Sequence, residues 1–171
     1  MAVRDIITYG HPTLHRRAGR VETFDSELKR LADDMFETMF AADGIGLAAT
    51  QIGVPLQFVV MAVPREGEEP LRMTMANARV VESRGSFDFE EGCLSVPEIR
   101  DMVTRPEWIR VEYQDIEGKP HTLEADGLLA RVIQHEVDHV SGFVFVDRLT
   151  PARRTRWEGT LKKLAKDTPK T

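Results

Sequence analysis

Between residues 25 and 40 the apolar positions recur at helical spacing. In DSELKRLADDMFETMF, Leu28, Leu31, Met35, Phe36, Met39 and Phe40 share one side of a 3.6-residue repeat, with Asp25 or Ser26 as N-cap and Asp43-Gly44 as the stop. The period then changes. LQFVVMAV (56–63), RMTMANARVVES (72–83) and FDFEEGCLSVP (87–97) read as strands. In EWIRVEYQDIEGKPHTLEA, Ile109, Val111 and Tyr113 alternate with Arg110, Glu112 and Gln114 before a hairpin turn over 115–119. Asp126 is placed to cap a second helix that Gly142 ends, and FVFVDRL leads into a final basic helix from about Pro151. Central strands flanked by helices predict an α+β fold, with mixed or antiparallel sheets around the second helix and a C-terminal helix. No repeat, low-complexity tract or long linker interrupts residues 1–171, so one domain is expected.

The second helix carries the chemistry. Its segment QHEVDHVSG (134–142) sets His135 and His139 four apart with Glu136 between them. At about 100° per residue, His135, His139, Leu128 and Val132 fall on one arc. Glu136 lies beside it, and Leu129, Ile133, Val137 and Val140 continue round. Only Arg131, Gln134 and Asp138 form a polar strip, so both histidines and Glu136 belong to the buried side. Burying such groups unsatisfied costs roughly 1–3 kcal/mol each, and more for a charge. A metal ion relieves that cost: each neutral imidazole ligates through one nitrogen and donates from the other. Two histidines at i, i+4 with an intervening glutamate favour this over a hydrogen-bonded core pair.

Two ligands and a base leave a third ligand to find. His11 and His15 also lie four apart, but Pro12 and Arg16-Arg17 predict a short exposed turn there. His121 follows Pro120 and reads as a surface or half-buried strand residue. Cys93, an aspartate or a glutamate remains. Cys93 sits in EEGCLSVPE on a rigid turn or strand end, where a lone cysteine is more often a small buried hydrophobe than a ligand. Asp138 faces away from the histidine pair, which suits a surface or hydrogen-bonding role.

Composition narrows the setting. A single cysteine excludes an intramolecular disulfide scaffold and favours a reducing compartment. The N-terminus MAVRDIITYG lacks a signal-peptide pattern and no run is apolar enough to span a bilayer, so a cytoplasmic protein without a membrane partner is expected. Residues 153–171 carry seven basic groups against Glu158 and Asp167, a local +5 on a chain whose net charge is -5.

Three separated motifs, GIGLAATQ (44–51), EGCLS (91–95) and QHEVDH (134–139), together resemble the peptide deformylase family. Further likeness runs from ITYGHPTL through VPEIR to ADGLLARVIQHE and fades only in the last twenty or so residues. Val140 stands where the family usually has leucine, and Asn77-Ala78 where Asn-Pro is common; neither touches the motifs' polar residues. The resemblance implies Cys93, His135 and His139 as metal ligands, with iron(II) the usual ion and zinc, nickel or cobalt as substitutes. It implies removal of the N-formyl group from the initiator methionine of new polypeptides.

In that reaction Glu136 acts as general base and acid. The side-chain amide of Gln51 and the backbone NH of Leu94 serve the developing oxyanion. Ile45, Leu128 and Val132 become walls of a methionine pocket, and the backbone around Gly44 to Gly46 pairs with the extended peptide. Arg100 matches a family arginine near the substrate path. Formyl-methionyl nascent peptides are the implied partners. The basic C-terminal segment is open to two readings, a solvated helix or a contact with ribosomal RNA, and no DNA partner is implied. Two other classes share the metal motif: a protease-like metallohydrolase, disfavoured by the lack of a third downstream His or Glu motif, and a noncatalytic metal-stapled module.

Overall fold

A computed structural model describes residues 2–171. Its elements are α1 (Ser26–Ala41), β1 (Gly46–Ala48), β2 (Phe58–Arg65), β3 (Glu68–Arg84), β4 (Phe87–Cys93), β5 (Val96–Arg105), β6 (Trp108–Gln114), β7 (Pro120–Asp126), α2 (Gly127–Val140) and α3 (Pro151–Asp167). Short 3₁₀ turns cover 12–15, 49–52 and 145–148. Five strands form one antiparallel sheet in the order β1-β2-β3-β6-β7, while β4 and β5 form a separate hairpin. The α+β expectation holds, with antiparallel pairing throughout both sheets and one isolated parallel bridge between Gly19 and Leu56.

Strand β2 explains the layering. Its run FVVMAV is buried on both faces because two helices cover the sheet. Val59, Met61 and Val63 pack with Ala130, Val132, Ile133 and Val140 of α2. Phe58, Val60 and Ala62, one residue out of step, pack with Met35 and Met39 of α1. A third cluster joins Val96, Ile99 and Val103 of β5 to Val144–Val146 and to Leu161 of α3. The β4–β5 hairpin is thereby wedged between α2 and the C-terminal segment.

Several expectations change in detail. Asp25 is the N-cap of α1, accepting from the Glu27 and Leu28 amides, and the left-handed residue after the helix is Asp43 (φ 56°), not Gly44. The strand read over 87–97 is two strands broken by a turn at Leu94-Ser95. Strand β5 was hidden because its inward face includes Asp101 and Arg105, charges that spoil an apolar alternation yet are 6% and 4% exposed. The largest correction concerns α2. The strip taken as its wet side is covered: Arg131 and Gln134 are buried, whereas Leu128 is 40% exposed. The hairpin supplies Glu91, Val103 and Pro106 as partners for Arg131 and Gln134, so the polar side is buried satisfied.

Asp101 fastens α3 to β5. Its carboxylate accepts from Arg153 Nη1 at 2.7 Å and Trp157 Nε1 at 2.9 Å, and one oxygen also takes the Met102 amide at 2.7 Å. Asp101→Ala leaves the indole donor without its buried acceptor. Urea unfolding is expected to show a loss of about 1–3 kcal/mol, whereas an unchanged midpoint contradicts this fastening role.

Candidate active site

Helix α2 aims its two histidines at the turn of the β4–β5 hairpin. Cys93 ends β4, and its Sγ lies 3.2 Å from His139 Nε2. Cys93, His135 and His139 each offer a ligand atom, all within 4.8 Å of one another. The set thus brings together the three residues implied as ligands, and leaves out His11, His15, His121 and Asp138. His11 and His15 sit at the short N-terminal turn, where the His11 ring accepts the Thr13 amide. His121 lies on β7, bonded to Asp115. Asp138 is occupied by Arg105 and Arg148.

The tautomer of His135 is fixed from behind. Its Nδ1 lies 2.8 Å from Glu91 Oε1, leaving Nε2 for the cluster. Glu91 also receives Arg105 Nε at 2.6 Å, Arg105 Nη2 at 3.0 Å and Arg131 Nη1 at 2.5 Å. Burial works against its charge, but the bonds from His135 and Arg105 prevail and hold its carboxyl down at about 2. His135 is also buried, yet Cys93 and Glu91 hold its pKa well above the usual imidazole range. Burial and the neighbouring His135 push His139 well below that range, and its Nδ1 has no hydrogen-bond partner among the described residues. One soft sulfur donor and two imidazoles fit a borderline divalent cation.

Glu136 faces the same space. It is 4% exposed, its Oε1 is 4.0 Å from His135 Nε2, and its Oε2 is buried with no hydrogen-bond partner among the described residues. Burial chiefly raises its pKa to about 7, with Glu91 adding to the rise and His135 opposing it. Gly46 leaves room for this carboxyl. A Cβ there would sit 2.8 Å from Glu136 Oε1, which explains the glycine at the start of β1.

Gln51 is 2% exposed, in the 3₁₀ turn after β1. Its Oε1 accepts the Ala48 amide at 2.9 Å. Its Nε2 lies 3.1 Å from Ser95 Oγ and 3.6 Å from Cys93 Sγ. A pocket of about 580 Å³ opens onto the cluster, lined by Ile45, Gly46, Gln51, Cys93, Leu94, Arg100, Leu128, Val132, His135 and Glu136. Leu128 and Ile45 are exposed at 40% and 37%, which suits walls of an open pocket. Arg100 stands at the mouth, 3.6 Å from Glu90.

Phe89, Glu91 and Arg131 also line this space and are not among the site residues expected from sequence. Arg131 passes over Phe87 at 4.5 Å and Phe89 at 5.7 Å. The available signal was the alternation Phe87, Phe89, Glu91 ending beside Cys93, which sets all three on one face of β4.

Comparison with known proteins gives a consistent picture. The family model for polypeptide deformylase matches residues 3–155. A peptide deformylase of Chromobacterium violaceum is 50% identical over 166 residues, 97% of this chain and 98% of that protein. One from Tolumonas auensis is 44% identical over 98% of this chain and 99% of its own. The crystal structure of peptide deformylase from Thermus thermophilus superposes with a TM-score of 0.88 at 42% identity, covering 96% of this chain and 99% of that one. A peptide deformylase from Ehrlichia chaffeensis in complex with actinonin gives 0.87 at 39%, covering 95% and 98%.

The raised carboxyl of Glu136 makes a signed prediction for metal-free protein. A folded carboxyl that binds its proton more tightly than the unfolded one adds stability below the ordinary carboxylate pKa. That stability is lost as pH rises through about 7. Glu136→Gln has no such loss. After chelation it is expected to exceed the parent by about 3 kcal/mol at pH 8 and to match it at pH 4. Denaturant midpoints that differ equally at both pH values contradict the assignment.

Proposed function

Because the chain belongs to the polypeptide deformylase family, metal-dependent hydrolases that remove the N-formyl group from nascent polypeptides, we propose that this pocket is where its own residues perform that reaction. The carrying observation is the convergence of Cys93, His135 and His139 beside the carboxyl of Glu136, whose Oε2 has no hydrogen-bond partner among the described residues. These three residues hold the divalent metal. When bound, the cation acts as a Lewis acid, making water acidic enough to react near neutral pH.

Glu136 accepts the proton of the attacking water and passes it to the amine released from the formyl group. Its position facing the cluster, with Oε1 4.0 Å from His135 Nε2, suits both halves of that transfer. Gln51 Nε2–H and the Leu94 amide donate to the formyl oxygen as it becomes negative. Ile45, Leu128 and Val132 receive the methionine side chain. The edge of β1 beginning at Gly46 pairs with the peptide backbone, since β2 occupies only its other side. Arg100 guides the chain beyond the first residue.

We propose iron(II) as the working ion, as the family likeness implies, with zinc, nickel or cobalt able to replace it, since one thiol sulfur and two imidazoles suit any of these borderline ions. Residues 1–171 act as one catalytic unit, and a substrate emerging from synthesis together with one unpaired cysteine points to the cytoplasm. No helix of the described residues is long and apolar enough to cross a membrane.

Ribosome docking is assigned to the outer face of α3. Arg153 and Arg154 are committed to Asp101 and Asp147, and Lys170 donates to backbone carbonyls. Lys162, Lys163 and Lys166 fall within a roughly 100° arc opposite Trp157 and Leu161, a basic stripe suited to phosphates, with Arg156 at its edge 3.6 Å from Asp101.

Formate release from a formyl-methionyl peptide tests the reaction. Glu136→Gln is expected to retain its metal and lose at least about 100-fold in kcat; turnover that survives in the metal-loaded variant removes the base assignment. Protein purified without oxygen should contain iron, and nickel-loaded protein should outlast it in air. Replacing Lys162, Lys163 and Lys166 by alanine is expected to weaken ribosome binding and flatten its salt dependence. Binding unchanged in both respects contradicts docking through α3.

A further inference from the structure

We propose that Ser95 is a positioning residue for deformylation: its buried hydroxyl holds the Gln51 side-chain amide so that one N–H stays directed at the reacting formyl oxygen. The inference rests on the reading of Gln51 as an oxyanion donor and extends it to a residue with no assigned role.

The amide's orientation is fixed by chemistry. The Ala48 backbone N–H can only donate, so the atom 2.9 Å from it must be Gln51 Oε1. Nε2 therefore faces Ser95 and Cys93. One of its two hydrogens goes to Ser95 Oγ at 3.1 Å, and the other lies toward Cys93 Sγ at 3.6 Å, on the pocket side. A sulfur at that distance is a weak acceptor, so the second hydrogen is available to an oxygen that becomes negative. Without the serine hydroxyl, rotation about the last side-chain torsion is restrained only through Oε1.

Ser95 is itself held. It is 0% exposed, and its carbonyl accepts the Tyr9 amide at 2.8 Å. Two residues earlier, the Ile7 amide donates to the Gln51 carbonyl, also at 2.8 Å. One extended stretch thus clamps the backbones of both Gln51 and Ser95, fixing the distance between hydroxyl and amide. A donor held in advance costs no reorganisation as charge develops.

The test is a double-mutant cycle on metal-loaded protein with a formyl-methionyl peptide. Ser95→Ala is expected to lower kcat roughly 10- to 100-fold while KM stays within about twofold, because the lost alignment matters in the transition state. Ser95→Thr, which keeps the hydroxyl, should recover most of the rate. In a Gln51→Ala background, Ser95→Ala should cost nothing further. Metal content and thermal midpoint should not follow the rate. An undiminished kcat in Ser95→Ala, or the same loss in both backgrounds, overturns the proposal; the latter marks a merely structural role. If Gln51→Ala leaves kcat unchanged, the donor role of Gln51 fails and the Ser95 proposal with it. If the unmutated protein releases no formate, the reading of the reaction fails at an earlier and separate measurement.

Discussion

The buried carboxylate of Glu91 is the interaction on which the rest of the site depends. It lies on β4, two residues before Cys93, and gathers Arg105 from β5 with Arg131 and His135 from α2. The hairpin that carries the thiol and the helix that carries the imidazoles meet through this one group. Desolvating a carboxylate is costly, and only several strong donors at short range make it tolerable. Two guanidinium groups and an imidazole supply them. Asp138 completes the balance from the far side, bonding Arg105 and being bonded in turn by Arg148.

Glu91 and Glu136 are two buried carboxyls with opposite fates. Glu91 is surrounded by donors and held at about 2, whereas Glu136 is surrounded chiefly by burial and raised to about 7. The first therefore stays charged and acts as a fixed anchor. The second has an oxygen, Oε2, with no hydrogen-bond partner among the described residues to favour its charge, and Gly46 preserves the space the carboxyl occupies.

Legibility from sequence followed the strength of local signals. Periodicity located α1, β2, the β6–β7 hairpin and α2, and the i, i+4 histidines with Glu136 announced a metal on a buried helix face. Cys93 was not legible from spacing; the EGCLS likeness supplied it, and the cluster within 4.8 Å agrees with that choice. Strand β5 and the buried state of Arg131 and Gln134 escaped because charged residues read as solvated until their partners are known. Ser95 escaped for a similar reason: a small hydroxyl carries no local signature of what it holds.

The sequence by itself determined the helices and the β2 and β6–β7 strands, the helix face on which His135, His139 and Glu136 lie, and the motifs that mark the family, because these depend on residues near one another along the chain. Only the tertiary structure showed how Cys93 reaches the histidines, which carboxyl is anchored by donors and which is not, and that the polar strip of α2 is internal. Those outcomes depend on pairs some 30 to 46 residues apart, such as Arg105 with Asp138 and Cys93 with His139. Burial changes the energy of a charge by more than any local propensity does, so the same residue reads as surface or core according to what the fold sets against it.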